Sequence, residues 1–313
     1  MGHDTAYAPG VRTDDVKGDD SLMEDRRGQG GGGMFGGGGF SFPGMGRGGG
    51  GGKAKMGVPM IILAVVAFFL TRGGGGGGID ITDVMGQMTG GASSNAVPAA
   101  EGGAKDEQYQ YVRAVGTLLQ DFWIESFAES GQDYRPATLV IFDAPTSTGC
   151  GMGTPETGPF YCPADDRVYI DFGFYEQLEQ QLGFDGDFAM AYVIAHEWGH
   201  HVQNVLGIND EVQRRAGGRQ DAGADSLSVK LELQADCFAG VWAKSAFEDE
   251  RLEAGDFNEA IEAAQAVGDD RIQERTQGRI NPESFTHGSA EQREQWFRTG
   301  YDTADPGACD TFR

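Results

Sequence analysis

His196-Glu197-Trp198-Gly199-His200 sets two imidazoles four residues apart with a carboxylate between them, and Glu232-Leu233-Gln234-Ala235-Asp236 repeats that spacing with two carboxylates. On a helix, residues four apart lie on one face roughly one turn from each other, so His196 and His200 can address a single metal ion. Glu197 is turned about 100° from His196, which puts it beside such an ion rather than on it. There it can take the proton of a metal-carried water as that water attacks a carbonyl. Two imidazoles and the Glu232 carboxylate make an acceptable zinc set with a fourth position left for water. Asp236 can accept the remaining imidazole N–H of a ligand His, fixing its tautomer and orientation. The expected chemistry is hydrolysis at one zinc ion per chain. The ligands are His196, His200 and Glu232, the general base is Glu197, and Asp236 supports from behind.

The longer pattern HExxHxxGxxH is absent, because Gln203 and Leu206 stand where its Gly and third His would be. His201 points about 100° away from His200 and is expected at the helix surface or behind the ligands. His287, in Ser284-Phe285-Thr286-His287-Gly288-Ser289, precedes a helix start at Ser289 with Gln292 at the capping-box position. It is a candidate donor to a tetrahedral oxyanion, with a hydrogen-bonded turn His as the plainer reading.

The two His and the later Glu resemble the thermolysin-type gluzincins. The chain as a whole resembles the bacterial neutral zinc metallopeptidases, membrane-anchored proteins with a Gly-rich N-terminal segment. The matching stretches are Glu24 to Gly30, Gly158-Pro159-Phe160-Tyr161-Cys162-Pro163, the run 196–203, Glu232 to Cys237, Ser284 to Gly288 and Ala308-Cys309-Asp310. That resemblance implies a zinc-dependent peptidase. It also implies a zincin-like α+β fold, with a small sheet whose edge strand lies beside a mainly helical zinc-binding part. Val168-Tyr169-Ile170-Asp171 is the candidate edge, where an extended peptide would add as a further strand.

Several elements must position these groups. Asp187 is the expected N-cap of a helix with Phe188, Ala189, Tyr192, Val193 and Ala195 on its apolar stripe, ending at Gly207. Gly199 costs about 1 kcal/mol in a helix interior, so close approach of another element is expected there. A second helix is expected over Leu227 to Phe247, and others over Tyr109 to Ser130, Asn258 to Thr276 and Ala290 to Thr299. Thr138 to Phe142 and Arg167 to Asp171 read as strands, and 207–225 as a mobile loop.

The first hundred residues have a different character. Residues 1–55 are expected as a Gly-rich disordered segment, 73–105 as a flexible linker and 106–313 as the folded domain. Between them Met56 to Leu70 carries no charge. At about 1.5 Å per residue it spans roughly 22 Å, against a hydrocarbon core of about 30 Å. With snorkelling flanks it reads as a signal anchor over 56–72. Arg12, Lys17, Arg26, Arg27, Arg47, Lys53 and Lys55 precede it, so the positive-inside rule puts the N-terminus in the cytoplasm and the domain outside the cell membrane. Cys150, Cys162, Cys237 and Cys309 all fall in the exported part, as an oxidising compartment permits. Three pairings are open, and proximity favours Cys150 with Cys162 and Cys237 with Cys309. The net charge of −24 argues against nucleic acid as a partner. A peptide-hydrolysing, membrane-anchored zinc endopeptidase is the expected function. The alternative is a zinc-stabilised, non-catalytic cell-envelope scaffold or chaperone.

Overall fold

The computed structural model describes residues 11–28, 103–173, 188–217, 221–253 and 255–313. Residues 56–72 and the expected cap Asp187 lie outside these. Among the described residues no helix is long and apolar enough to cross a membrane. The architecture is mixed α+β, a small sheet packed on a larger helical part.

Two strands form where β-branched and aromatic residues cluster: β2 at Thr138–Phe142 and β6 at Arg167–Asp171, paired in parallel from Thr138↔Arg167 to Phe142↔Asp171. Their alternation separates two faces. Leu139, Ile141, Val168 and Ile170 point into the main helical core. Val140, Phe142 and Tyr169 join Phe160, Cys150 and Cys162 in a smaller cluster on the other side. A short hairpin, β3 at Thr146–Thr148 and β4 at Gly151–Gly153, leads to β5 at Phe160–Cys162. Strand β5 pairs antiparallel with β6, and the Cys150–Cys162 disulfide ties it to the end of the hairpin.

This corrects the expected edge. With β1 at Met23–Asp25 the sheet order is β1-β2-β6-β5, so Val168 to Asp171 is internal and the edges belong to β1 and β5. The reason is that the Gly/Pro-rich stretch before β6, which reads as loop, folds back as a three-residue strand whose members are all buried.

A second correction concerns residues 11–28, which composition assigns to a disordered cytoplasmic segment. They lie on the domain as an arm. Val11 bridges Leu252, and the Arg12 N–H donates to the Arg251 carbonyl at 2.7 Å. Leu22 is buried in the core. Strand β1 runs parallel to β2 with Glu24 opposite Val140. Arg26 donates to the Ser147 carbonyl at 2.8 Å, Arg167 pairs with Glu24 at 2.6 Å, and Arg27 lies over the rings of Tyr109 and Phe172.

The helical part begins with α1 at Gly103–Glu129, whose Val112, Val115, Leu119 and Trp123 are buried and whose Phe122 is partly so. Helix α2 spans Phe188–Val205 and stops before Gly207, which takes the left-handed conformation at φ 72°. The expected loop after it instead contains helix α3, Ile208–Ala216, whose acidic first turn (Asp210, Glu211) and basic last turn (Arg214, Arg215) suit the helix dipole. Helix α4, Leu227–Glu248, starts from the Ser226 side-chain cap. The stretch expected as one helix is two, α5 at Asp256–Ala266 and α6 at Asp269–Gln277, broken where Gly268 is extended. Helix α7, Ala290–Thr303, has the expected capping box of Ser289 and Gln292.

Helices α4 and α7 touch backbone to backbone, because a Cβ on Gly300 would collide with the Cys237 carbonyl and one on Gly240 with the Phe297 carbonyl. The Cys237–Cys309 disulfide then fastens α4 to the C-terminus across a separation of 72 residues, a loop closure worth about 4 kcal/mol in the chain-entropy picture. Gly300→Ala should force these helices apart and cost about 1–3 kcal/mol, read as a lower urea midpoint at unchanged m-value; an unshifted midpoint would contradict the close packing.

Candidate metal centre

Helices α2 and α4 cross at Gly199, where an added Cβ would lie 2.8 Å from the Ala235 carbonyl oxygen. This is the close approach expected from a glycine inside the HExxH helix. It brings the HExxH face of α2 against the Glu232–Asp236 turn of α4. The His196 and His200 rings stand 4.8 Å apart between centroids and almost perpendicular at 87°. The His196 Nε2 is 3.1 Å from Glu232 Oε2, and the His200 Nε2 is 3.5 Å from Glu232 Oε1. One ligand atom from each of the three residues lies within 4.8 Å of the others. A tetrahedral zinc with bonds near 2.1 Å separates its ligand atoms by roughly 3.4 Å, so the donor set and spacing fit that ion.

Both imidazoles are held from behind, which leaves each Nε2 for the metal. The His196 Nδ1 lies 2.7 Å from Asp236 Oδ1, as the i, i+4 spacing leads one to expect. The His200 Nδ1 lies 2.9 Å from the Gln203 side-chain oxygen, while the Gln203 amide nitrogen donates to the Leu231 carbonyl at 2.7 Å. Gln203 was legible in principle, since it sits one turn from His200 on the same helix face.

Asp236 is wholly buried and receives more than the imidazole. The Tyr192 hydroxyl donates to it at 2.6 Å, and Arg293 of α7 donates through Nε at 2.8 Å and Nη2 at 2.9 Å. Burial alone would raise the Asp236 pKa, but the Arg293 guanidinium and His196 outweigh it and hold the carboxyl at about 2. Burial likewise opposes a charge on His196, yet Asp236 and Glu232 raise its pKa to about 9 in the metal-free protein.

Glu197 is half-buried and makes no hydrogen bond or ion pair with any described residue, so its carboxylate is left to act on a ligand. His287 stands in the turn between the short 3-10 helix at Pro282–Ser284 and α7. Its Nδ1 is 3.0 Å from the Thr286 hydroxyl and 3.3 Å from Asp269 Oδ1. The other Asp269 oxygen accepts the backbone N–H groups of Thr286, His287 and Gly288 at 2.7, 2.7 and 3.1 Å. The break at Gly268 is what aims Asp269 into this turn. Burial lowers the His287 pKa, but the Asp269 hydrogen bond and the Glu232 charge more than offset it and the net shift is upward.

His201, expected at the helix surface or behind the ligands, is not at the surface. It is fully buried, with Nε2 2.7 Å from the Arg135 carbonyl and Nδ1 3.1 Å from the Tyr161 hydroxyl, and burial keeps its pKa near 4. It joins α2 to the strand layer and takes no part in the metal set. Cys237 is disulfide-bonded to Cys309 and Cys150 to Cys162, which matches the expected pairing.

A family model described as "Putative neutral zinc metallopeptidase" matches residues 14–312. The uncharacterized protein YpfJ of Escherichia coli (strain K12) is 44% identical over 292 residues, covering 93% of this chain and 95% of that protein. The uncharacterized protein Rv2575 of Mycobacterium tuberculosis (strain H37Rv) is 47% identical over 190 residues, 57% of this chain and 63% of that one. No solved structure matches the chain.

Zinc must displace the proton that metal-free His196 holds up to a pH of about 9. Protons compete below that value and not above it. Apparent zinc affinity should therefore climb between pH 6.5 and 9, with proton release visible by titration calorimetry in buffers of different ionisation enthalpy; a flat affinity across that window would contradict this ligand set.

Proposed function

The chain belongs to the putative neutral zinc metallopeptidase family, and from that premise we propose that it is a zinc-dependent endopeptidase with a zincin-like centre, working outside the cytoplasm. The reading is carried by one observation: His196, His200 and Glu232 converge on one point, with every Nδ1 of the pair already engaged. A purely structural zinc needs only ligands. Here a further carboxylate, Glu197, lies close enough for its charge to act on His200, and a further imidazole, His287, is held by Asp269 within electrostatic reach of Glu232.

Bound zinc would supply Lewis acidity to a substrate carbonyl and a lowered pKa to its water. The protein does the remaining work. Glu197, without a hydrogen-bond partner among the described residues, takes the proton from the attacking water and hands it to the leaving amine. His287, oriented by Asp269 and favoured in its charged form, donates to the oxygen that becomes negative in the tetrahedral transition state. Asp236 keeps His196 in the tautomer that offers Nε2, and Gln203 does so for His200.

The apolar run at 56–72 supports attachment to a membrane, and two disulfides support an oxidising compartment for the domain. The net charge of −24 directs the search for substrates to polypeptides rather than nucleic acids.

Cleavage of an unfolded casein-type substrate by the purified full chain tests this reading. Glu197→Gln should retain one zinc per chain and lose activity by roughly 10²–10⁴-fold, the usual weight of a positioned base. His287→Ala should retain zinc and lower kcat by about 10²–10³-fold. Proteolysis undiminished in Glu197→Gln would remove the mechanism.

A further inference from the structure

Arg293 is only 3% exposed and carries its charge into the buried interior between helices. Its guanidinium grips both Asp236 oxygens, at 2.8 and 2.9 Å, and reaches the Tyr192 hydroxyl at 3.2 Å. The same Nη2 lies 3.2 Å from the His196 Nδ1, which already meets Asp236 Oδ1. Asp236 Oδ1 is thus shared by an imidazole, a phenol and a guanidinium. This bidentate grip fixes the plane of the carboxylate, and with it the direction in which His196 can aim Nε2. Resting on the zinc reading above, we propose that Arg293 is a positioning residue of the metal centre, acting on zinc through Asp236 and His196 from a third helix.

Zinc affinity of the full chain, measured by competition with a chromogenic chelator, tests this directly. Arg293→Met should weaken zinc binding by about 10–100-fold, the usual weight of a group behind a ligand His. Arg293→Lys, which keeps the charge and loses the fork, should fall between it and wild type. In the double variant Arg293→Met/Asp236→Asn the two losses should not add, since one acts through the other. If Arg293→Met does not fold, Arg293→Lys and its double variant with Asp236→Asn decide alone. Wild-type affinity in the Arg293 variants, or losses that add, would overturn the proposal. A wild-type chain that binds no zinc would instead overturn the metal centre itself.

The arm carries a second inference independently. Residues 11–28 are a strand and a core segment of the body formed by 103–313: β1 pairs along β2, Val11 and Leu22 are buried, and Glu24 and Arg167 bridge 143 residues of sequence. A folded unit cannot straddle a bilayer, and the sequence between the two parts contains one apolar run. We infer that residues 11–28 and the 103–313 body occupy the same side of the membrane. A single crossing between the two parts would instead put the arm and the body on opposite sides, which is the outcome the following experiment distinguishes.

No described cysteine is free, so one new thiol reports sidedness cleanly. Lys17→Cys on the arm and Asp133→Cys on the body, both exposed, should react alike with a membrane-impermeant maleimide in spheroplasts expressing the full chain. Labelling of both, or protection of both until lysis, supports a shared side; labelling of Asp133→Cys with Lys17→Cys protected until lysis would overturn it.

Discussion

The contact on which the rest depends is the crossing of α2 and α4 at Gly199, where the Ala235 backbone occupies the place of a side chain. Two imidazoles on one helix define only a line of approach for a metal. The third donor must come from elsewhere, and with larger contact residues setting the helix axes toward the far end of the usual 8–10 Å interaxial range a Glu on α4 would reach less directly. With glycine at the crossing, Glu232 comes within 3.1 and 3.5 Å of the two Nε2 atoms. The glycine's cost in helix propensity is the local sacrifice that makes the site.

Such a crossing buries charge, and the surrounding groups are arranged around that fact. Asp236 is fully buried beside the ligands, a situation that costs several kcal/mol unless the charge is met. It is met by Arg293, Tyr192 and His196 together. The glycine pair Gly240 and Gly300 lets α7 lie against α4 closely enough for Arg293 to arrive, and the Cys237–Cys309 bridge fastens the segment after α7 to the same helix one residue beyond Asp236. Asp269 repeats the device on a smaller scale, with one carboxylate holding the 286–288 backbone and the His287 ring.

What the sequence made legible follows from how local each signal is. Helix-spaced His196, His200, Glu232 and Asp236 carry their geometry in their spacing, so their convergence could be anticipated before any coordinates. The capping box at Ser289, the stop at Gly207 and strands β2 and β6 are equally local. Arg293, Asp269 and the arm were not legible, because their meaning lies in partners far along the chain. Arm residues 11–28 are polar and surround a three-residue strand, too short for any periodicity, and are held by backbone pairing and by arginines such as Arg26 and Arg167. Strand β6 was read as an edge because nothing in Phe160-Tyr161-Cys162 announces a further strand. Residues 207–225 read as a loop because α3 is so polar, with Val212 alone buried on it.

The chemistry of the centre is decided by which atoms surround one ion. X-ray absorption at the zinc edge on the zinc-loaded full chain reads that shell directly. It should show two imidazole nitrogens near 2.0–2.1 Å and light oxygen donors near 2.0–2.2 Å, with no sulfur. A shell containing sulfur near 2.3 Å, or fewer than two imidazoles, would contradict a centre built from His196, His200 and Glu232.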